Sequence, residues 1–284
     1  HLLLPALDPS LIDANVATRY EKGSAHAFKL FLKYTNRLYR EQKEIYILKI
    51  DISKYFYNID HDICKELVNK KIKDPNALKI INEIIDTTNY AYINNEVKRL
   101  VSKEKRRVEN LNIAENSKNN KKETLDSIPM YYNKKGLPIG NMTSQILAVY
   151  YLNEVDHYIK EKLKFKNYIR YMDDLVIMDT DKERLKEGYI KIKEEIEKLK
   201  LKTNKKSNIY RLSNGVSFLG YTFKSNKKYT KTYIRYNAQT SKRIKRRLKN
   251  LKKYDYEKYL KSKASYKGYL EKCNTRLYEK MIEI

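Results

Sequence analysis

The chain of 284 residues contains only two cysteines, Cys64 and Cys273, far apart and at no metal-ligand spacing. That excludes a cysteine-bound metal and a disulfide framework, and a reducing cytoplasm is the expected compartment. No apolar run approaches the roughly 18 residues that a membrane-spanning helix requires, and no signal peptide is visible. No membrane partner is therefore expected. Convincing internal repeats are also lacking.

Negative charge is scarce. Asp and Glu number 35 against 61 Lys and Arg, a net charge of +26. An excess of this size repels itself and persists where a polyanion compensates it. Nucleic acid fits that description, because phosphate contacts by Lys and Arg release counterions and dominate affinity. A coding sequence rich in A and T would raise Lys, Asn, Ile and Tyr in any protein. It would not gather Arg243, Arg246 and Arg247 in one short stretch. Hydrophobic residues make up 41% of the chain, enough for one large domain or two to three packed subdomains. Their regular recurrence argues against disorder throughout.

Residues 1–44 are predicted to be largely helical, with a loop around Tyr20–Ser24. The opening HLLLPALDP reads as the middle and exit of a helix, so an upstream segment is expected. Ile45–Ile50 is an apolar, β-branched run ending at Asp51, the pattern of a buried strand. Helical spacing returns over Ile63–Tyr92. Residues 93–128 hold few apolar and many charged residues, which predicts a mobile basic insertion, solvated or touching RNA. The turn Gly-Leu-Pro-Ile-Gly (136–140) leads into a helix over Thr143–Lys160, with Ile146, Val149, Tyr150, Val155 and Ile159 on one face. YIRYMDDLVIM (168–178) reads as two short strands around a turn carrying two aspartates. An amphipathic helix over 181–202 and a hairpin over Val216–Phe223 follow. Basic helices are expected over 239–284, with Ile244, Leu248 and Leu251 on one face.

Nucleotidyl transfer uses two Mg²⁺ ions about 3.5–4 Å apart. Mg²⁺ takes hard oxygen ligands, usually one or two carboxylates with phosphate oxygens and water. Such a site needs carboxylates from different elements converging on one point. Asp51 ends one predicted strand, and Asp173 and Asp174 sit at the tip of a predicted hairpin. If the strands are neighbours, Asp51 and Asp173 meet at the sheet edge, and the Ile52 carbonyl adds an oxygen. Each feature has a plainer reading alone: an Asp-Asp pair suits turn geometry, and Asp51 suits a strand end or a helix N-cap. Their combination points to metal chemistry.

LKIDISKYFYNIDHD (48–62) resembles the first palm motif of reverse transcriptases, and YMDD (171–174) resembles their catalytic hairpin. GLPIGNMTSQ (136–145), NKKS (204–207) and FLGY (218–221) are similar to three further motifs of the family, in the family's order. The resemblance covers roughly residues 11–275. It implies an α+β right-hand polymerase fold: fingers (1–44), a palm with an antiparallel sheet (45–92 and 129–222), the insertion 93–128, and a helical thumb (223–284). It also implies two Mg²⁺, with Mn²⁺ able to substitute. The implied partners are template RNA, a nucleic-acid primer, deoxynucleoside triphosphates and an accessory protein.

Carried across by motif, Asp51, Ile52, Asp173 and Asp174 would hold the metals. Phe56, beside Tyr55, would stack under the sugar and exclude a 2′-hydroxyl, with core packing as its plainer reading. Lys206 would neutralise or protonate the leaving pyrophosphate. In NVATRYEKGSAHA (15–27), Arg19 and Lys22 would meet the triphosphate. Ile139, Gly140 and Gln145 would border the templating pair. Tyr171, Met172, Leu219 and Gly220 would lie against the nucleic acid. Lys242, Lys245, Arg246 and Lys249 would track the duplex backbone without reading sequence. SYKGYLEKCN (265–274) resembles the closing segment of bacterial enzymes.

Many family members show Gln-Gly, three residues, then Ser-Pro in the middle motif. This chain has Ile139-Gly140, Asn141-Met142-Thr143, then Ser144-Gln145. That form resembles the enzymes of diversity-generating retroelements, which miscopy adenines of a template RNA, and secondly defence-associated enzymes. Two alternatives stay open: a non-catalytic RNA-binding scaffold on the same fold, and a template-independent nucleotidyl transferase.

Overall fold

The run Tyr46–Asp51 forms strand β1, and its apolar residues point to both faces because both faces are covered. Three partners join it in a four-stranded antiparallel sheet of order β2-β3-β1-β4: β2 (Tyr168–Tyr171), β3 (Asp174–Asp179) and β4 (Asn208–Arg211). The computed structural model describes residues 3–270 and Cys273, without side chains at 268–270.

Helices fill the intervals. Before the sheet come α1 (Leu3–Leu7) and α2 (Ser24–Leu38). Between β1 and β2 lie α3 (Tyr55–Asn58), α4 (His61–Lys71), α5 (Pro75–Asp86), α6 (Ala91–Glu109), α7 (Glu115–Asp126), α8 (Met142–Tyr151) and α9 (Asn153–His157). After β3 comes α10 (Lys182–Lys198). A second, three-stranded antiparallel sheet follows β4: β5 (Val216–Phe218), β6 (Tyr221–Ser225) and β7 (Thr232–Tyr236). The described chain ends in α11 (Ala238–Tyr254) and α12 (Tyr256–Leu270).

Strand alternation separates two cores. Leu48, Ile50, Leu175 and Ile177 pack with Leu147 and Tyr151 of α8 and Ile192 of α10. Ile47, Ile169, Val176 and Met178 face the other way, onto Phe28 and Phe31 of α2 and Phe218 and Phe223 of the second sheet. The Phe31 and Phe223 rings stack at 4.0 Å between centroids, locking α2 to that sheet. Ile244, Leu248 and Tyr259 make a small separate core between α11 and α12.

Two expectations change. Residues 93–128 are not an irregular loop: they form the α6–α7 helical hairpin. Glu, Lys and Arg are good helix formers, and pairs such as Arg99–Glu96 and Lys118–Glu115 stabilise helices at i,i+3. Val108 is buried, and Lys122–Glu109 (3.1 Å) and Lys105–Asp126 join the two arms. The N-terminal part is also less helical than its composition suggested, running without helix from Leu11 to Gly23. There Ala14 and Val16 hydrogen-bond to Arg170 of β2, so this segment extends the sheet edge. Among the described residues no helix is long and apolar enough to cross a membrane.

Candidate active site

The four-stranded sheet brings the three aspartates together. β1 pairs with β3 from Tyr46↔Asp179 to Asp51↔Asp174, so Asp51 and Asp174 are Cα partners on the last rung. β2 pairs with β3 as far as Tyr171↔Asp174, leaving Met172 and Asp173 as a two-residue turn. Met172 takes a left-handed conformation (φ 56°), unusual for a residue with a Cβ. Next to this end, the loop after α10 is clipped to Asp51: Asn204 N donates to the Asp51 carbonyl (2.7 Å), and Ser207 Oγ accepts from Asp51 N (3.1 Å). Ile52 continues the strand into a bridge with Thr203.

The charges are poorly compensated. Burial pushes the Asp173 carboxyl above the ordinary range, and Asp174 and Asp51 add to it, against a hydrogen bond from its own backbone N–H and a smaller effect of Arg170. Burial also raises Asp174, with Lys49 opposing and Asp51 adding. Half-buried carboxylates that repel one another, on hard oxygen donors, fit divalent cations that would relieve the repulsion. Among the described residues, no group of three His, Cys, Asp or Glu forms a ready-made cage. Mg²⁺ sites of this kind take only one or two protein carboxylates and complete their shell with substrate phosphates and water, so the donor set fits.

The other expected residues divide. Phe56 is partly buried on α3, and its carbonyl accepts from Leu137 N (2.8 Å), tying α3 to the 136–140 turn. Ile139 is 60% exposed, and Gly140 (φ 113°) has open space around it. Asn141 caps α8 by accepting from Ser144 N (2.7 Å), and Gln145 lies half-buried in the first turns of that helix. Lys206 is exposed in the loop clipped to Asp51. Leu219 (φ 50°) and Gly220 (φ 82°) form the two-residue turn between β5 and β6, both positive as in a type I′ hairpin. Gly220 O accepts from Asn237 N (3.1 Å), joining this hairpin to the start of α11. Lys242, Lys245, Arg246 and Lys249 are all exposed on α11, around the buried Ile244 and Leu248. Of SYKGYLEKCN, residues 271, 272 and 274 lie outside the described residues.

Two residues expected at the substrate are engaged elsewhere. Tyr55 is 3% exposed and donates its hydroxyl to Ala148 O (2.5 Å), which makes it a core anchor beneath the strand ends. Arg19 grips Asp8 through Nε (2.5 Å) and Nη2 (3.1 Å), and its Nη1 donates to the carbonyls of Ile12 (2.7 Å) and Asn15 (2.9 Å). Its fork is spent on holding the helix-free N-terminal segment. Lys22 pairs with Asp13 (2.7 Å), whose side chain is 81% exposed.

Two features escaped the sequence reading. His61, fully buried, makes a 2.7 Å hydrogen bond through Nε2 to Gly136 O, supporting the 136–140 turn with Thr88 Oγ1 (2.8 Å to the same carbonyl). Beneath the hairpin, Arg170 and Asp156 form an ion pair with both side chains 0% exposed. Arginine in a strand flanked by apolar residues was the available signal, since an unpaired charge there would be too costly.

A family model described as reverse transcriptase (RNA-dependent DNA polymerase) matches residues 3–223. Among solved structures, apo telomerase from Candida tropicalis is similar, with a TM-score of 0.50, 16% identity, and coverage of 83% of this chain and 39% of that one. The same telomerase truncated from its C-terminal domain gives 0.47 and 17%, covering 83% and 44%. Telomerase from Candida albicans in complex with a TWJ fragment of telomeric RNA gives 0.48 and 14%, covering 87% and 39%. This chain thus spans about two fifths of the length of those proteins. No curated protein matches the sequence. The helices and antiparallel sheet have the right-hand polymerase fold. With the family match running over residues 3–223, the chain belongs to the reverse transcriptase (RNA-dependent DNA polymerase) family.

Proposed function

We propose that this chain is the polymerase core of an enzyme that copies RNA into DNA, with Asp51, Asp173 and Asp174 as its catalytic carboxylates. The observation that carries this reading is the β1–β3 register, which sets Asp51 against Asp174 beside the turn bearing Asp173. The family generally uses divalent metals such as Mg²⁺, and bound ions would activate the primer hydroxyl and hold the triphosphate. Mn²⁺ would substitute. The Ile52 carbonyl is the proposed additional oxygen.

The remaining roles belong to this chain's own side chains. Phe56, fixed through its carbonyl to Leu137, excludes a 2′-hydroxyl and selects deoxynucleotides. Lys206, on the loop clipped to Asp51, supplies positive charge or a proton to the leaving pyrophosphate. Because the Arg19 fork is committed, Lys22 is the better finger cation: its side chain is only 16% exposed, but its carboxylate partner Asp13 is 81% exposed, so a phosphate reaches the ammonium from the solvent side and replaces Asp13 there. The α11 sequence AQTSKRIKRRLKNLKKY has eight Lys or Arg and no acid, which suits a template–primer held through its backbone. Template RNA, a primer, deoxynucleoside triphosphates and an accessory protein are the proposed partners.

The middle motif supports a diversity-generating retroelement as the biological setting, with Ile139 replacing an amide beside the templating pair and lowering fidelity at adenine. A phage-defence enzyme, template-independent in some forms, is the second reading on the same motif. The deciding assay is deoxynucleotide incorporation on primed poly(rA) with Mg²⁺, run with and without template, for wild type and Asp173→Ala. Template-dependent synthesis lost in the variant supports the polymerase reading. Incorporation without template moves the second reading forward. An inactive wild type, also on its native RNA, returns the non-catalytic scaffold. Equal adenine misincorporation by wild type and Ile139→Gln would sink the fidelity proposal.

A further inference from the structure

We propose that Arg170 is a positioning residue for the Met172–Asp173 turn, holding the peptide from which Asp173 projects. Its catalytic consequence rests on the polymerase reading above; the clamp itself does not.

Arg170 is fully buried on β2, directly before Tyr171. Its Nε donates to both Asp156 oxygens (2.8 and 3.0 Å), and Nη2 donates to Asp156 Oδ2 (2.7 Å) and to Val149 O (2.6 Å). The remaining arm, Nη1, donates to Met172 O at 3.0 Å. One rigid fork therefore spans α8, α9 and the catalytic turn. Asp156 is held in turn by Tyr168 Oη (2.6 Å) and, more weakly, by Asn15 Nδ2 (3.4 Å). Fingers, palm helix and hairpin thus share a single buried carboxylate.

Stability is a poor explanation for this network, because well-packed apolar residues usually replace a buried ion pair at no loss. Geometry is a better one. Met172 holds a left-handed φ of 56° without being glycine, a conformation that persists only where the surroundings over-determine it. Its carbonyl belongs to the same planar peptide as the Asp173 nitrogen. Fixing that oxygen fixes the plane from which the Asp173 side chain leaves. A lysine at position 170 could still pair with Asp156, but a single ammonium lacks the planar fork that reaches three acceptors in different directions.

The test compares wild type with Arg170→Lys, Arg170→Gln and the milder Tyr168→Phe, at a temperature where thermal melts show each to be folded. Amide hydrogen exchange of a peptide covering 171–174 is read against one covering α8. In Arg170→Lys the turn peptide is expected to exchange at least 10-fold faster while the α8 peptide changes less than 3-fold. In steady-state kinetics kcat is expected to fall about 10- to 100-fold with deoxynucleotide KM within 3-fold, the scale set by small misplacements of reacting groups. Should both Arg170 variants fail to fold, Tyr168→Phe decides, with smaller changes of the same pattern. Unchanged turn exchange, or exchange raised equally everywhere, overturns the clamp. Selective turn exchange with an unchanged kcat overturns its catalytic role. An inactive wild type overturns the polymerase reading, and with it that role, while hydrogen exchange still decides the clamp.

Discussion

Asp51 and Asp174 close the β1–β3 ladder as its last Cα pair, so two carboxylates from distant parts of the sequence stand side by side at the end of the two central strands. Like charges directly opposite each other destabilise a sheet. A fold that puts them there sacrifices stability, and measurable consequences follow.

Asp173→Asn should stabilise the metal-free protein while abolishing synthesis. Burial and the two neighbouring aspartates raise the Asp173 pKa above its ordinary 3.8. The folded state therefore binds its proton more tightly than the unfolded state, and stability falls as pH rises from 3.8 through the raised value. At neutral pH the ionised group carries the full penalty, which asparagine lacks. Melting in EDTA should show Tm higher by about 1–3 °C; a lower Tm would count against the electrostatic account.

Gly136→Ala should cost about 2–4 kcal/mol in urea denaturation. Gly136 has φ 88°, and an added Cβ would lie 2.7 Å from Tyr131 Cδ1 and 3.2 Å from Tyr57 O. Gly140→Ala, with φ 113° but nothing within 4 Å, should cost less. Equal losses would show that backbone strain alone, without the Tyr131 clash, governs this turn.

Phe56→Ala should admit ribonucleotides. The ring is partly buried against the main core beside Tyr55, so some stability is lost with the gate. The informative quantity is the ratio of kcat/KM for dTTP to that for UTP, which should fall by at least about 10²-fold. A ratio unchanged within 3-fold would reassign Phe56 to packing.

His157 should make stability fall between pH 6 and 8.5. Burial lowers its pKa, but hydrogen bonds to Ser10 O (2.9 Å) and Glu161 (2.6 Å) outweigh burial and leave it raised above 6.5. The stabilisation is fully present below 6.5, the unfolded value, and is lost as pH rises through the folded value. Urea midpoints at pH 6 and 8.5 should differ less in His157→Gln than in wild type. An unchanged difference would assign the pH dependence to other groups.

The sequence by itself determined the strand-ending Asp51, a two-strand hairpin with Asp173 and Asp174 at its tip, of which the structure leaves only Asp173 in the turn and pairs Asp174 within β3, and the basic face of α11. Those signals are local: β-branched runs, a two-residue turn, and apolar spacing that leaves Lys and Arg outside. It also carried the family resemblance, because motif order survives without three-dimensional information. Tertiary structure alone decided that β1 and β3 are neighbours with Asp51 against Asp174, since register depends on two sheet faces being covered at once. It also decided that Arg19 and Tyr55 are spent on the chain's own carbonyls and carboxylates, because a donor's partner is set by what folds back over it. The same holds for the 93–128 segment, whose charges read as a loop until Val108 and the ion pairs between α6 and α7 joined two helices. Arg170 shows the limit most plainly: its identity is visible in the sequence, but its partner Asp156 lies 14 residues away on another element, and only packing brings a buried charge to the one group that makes its burial tolerable.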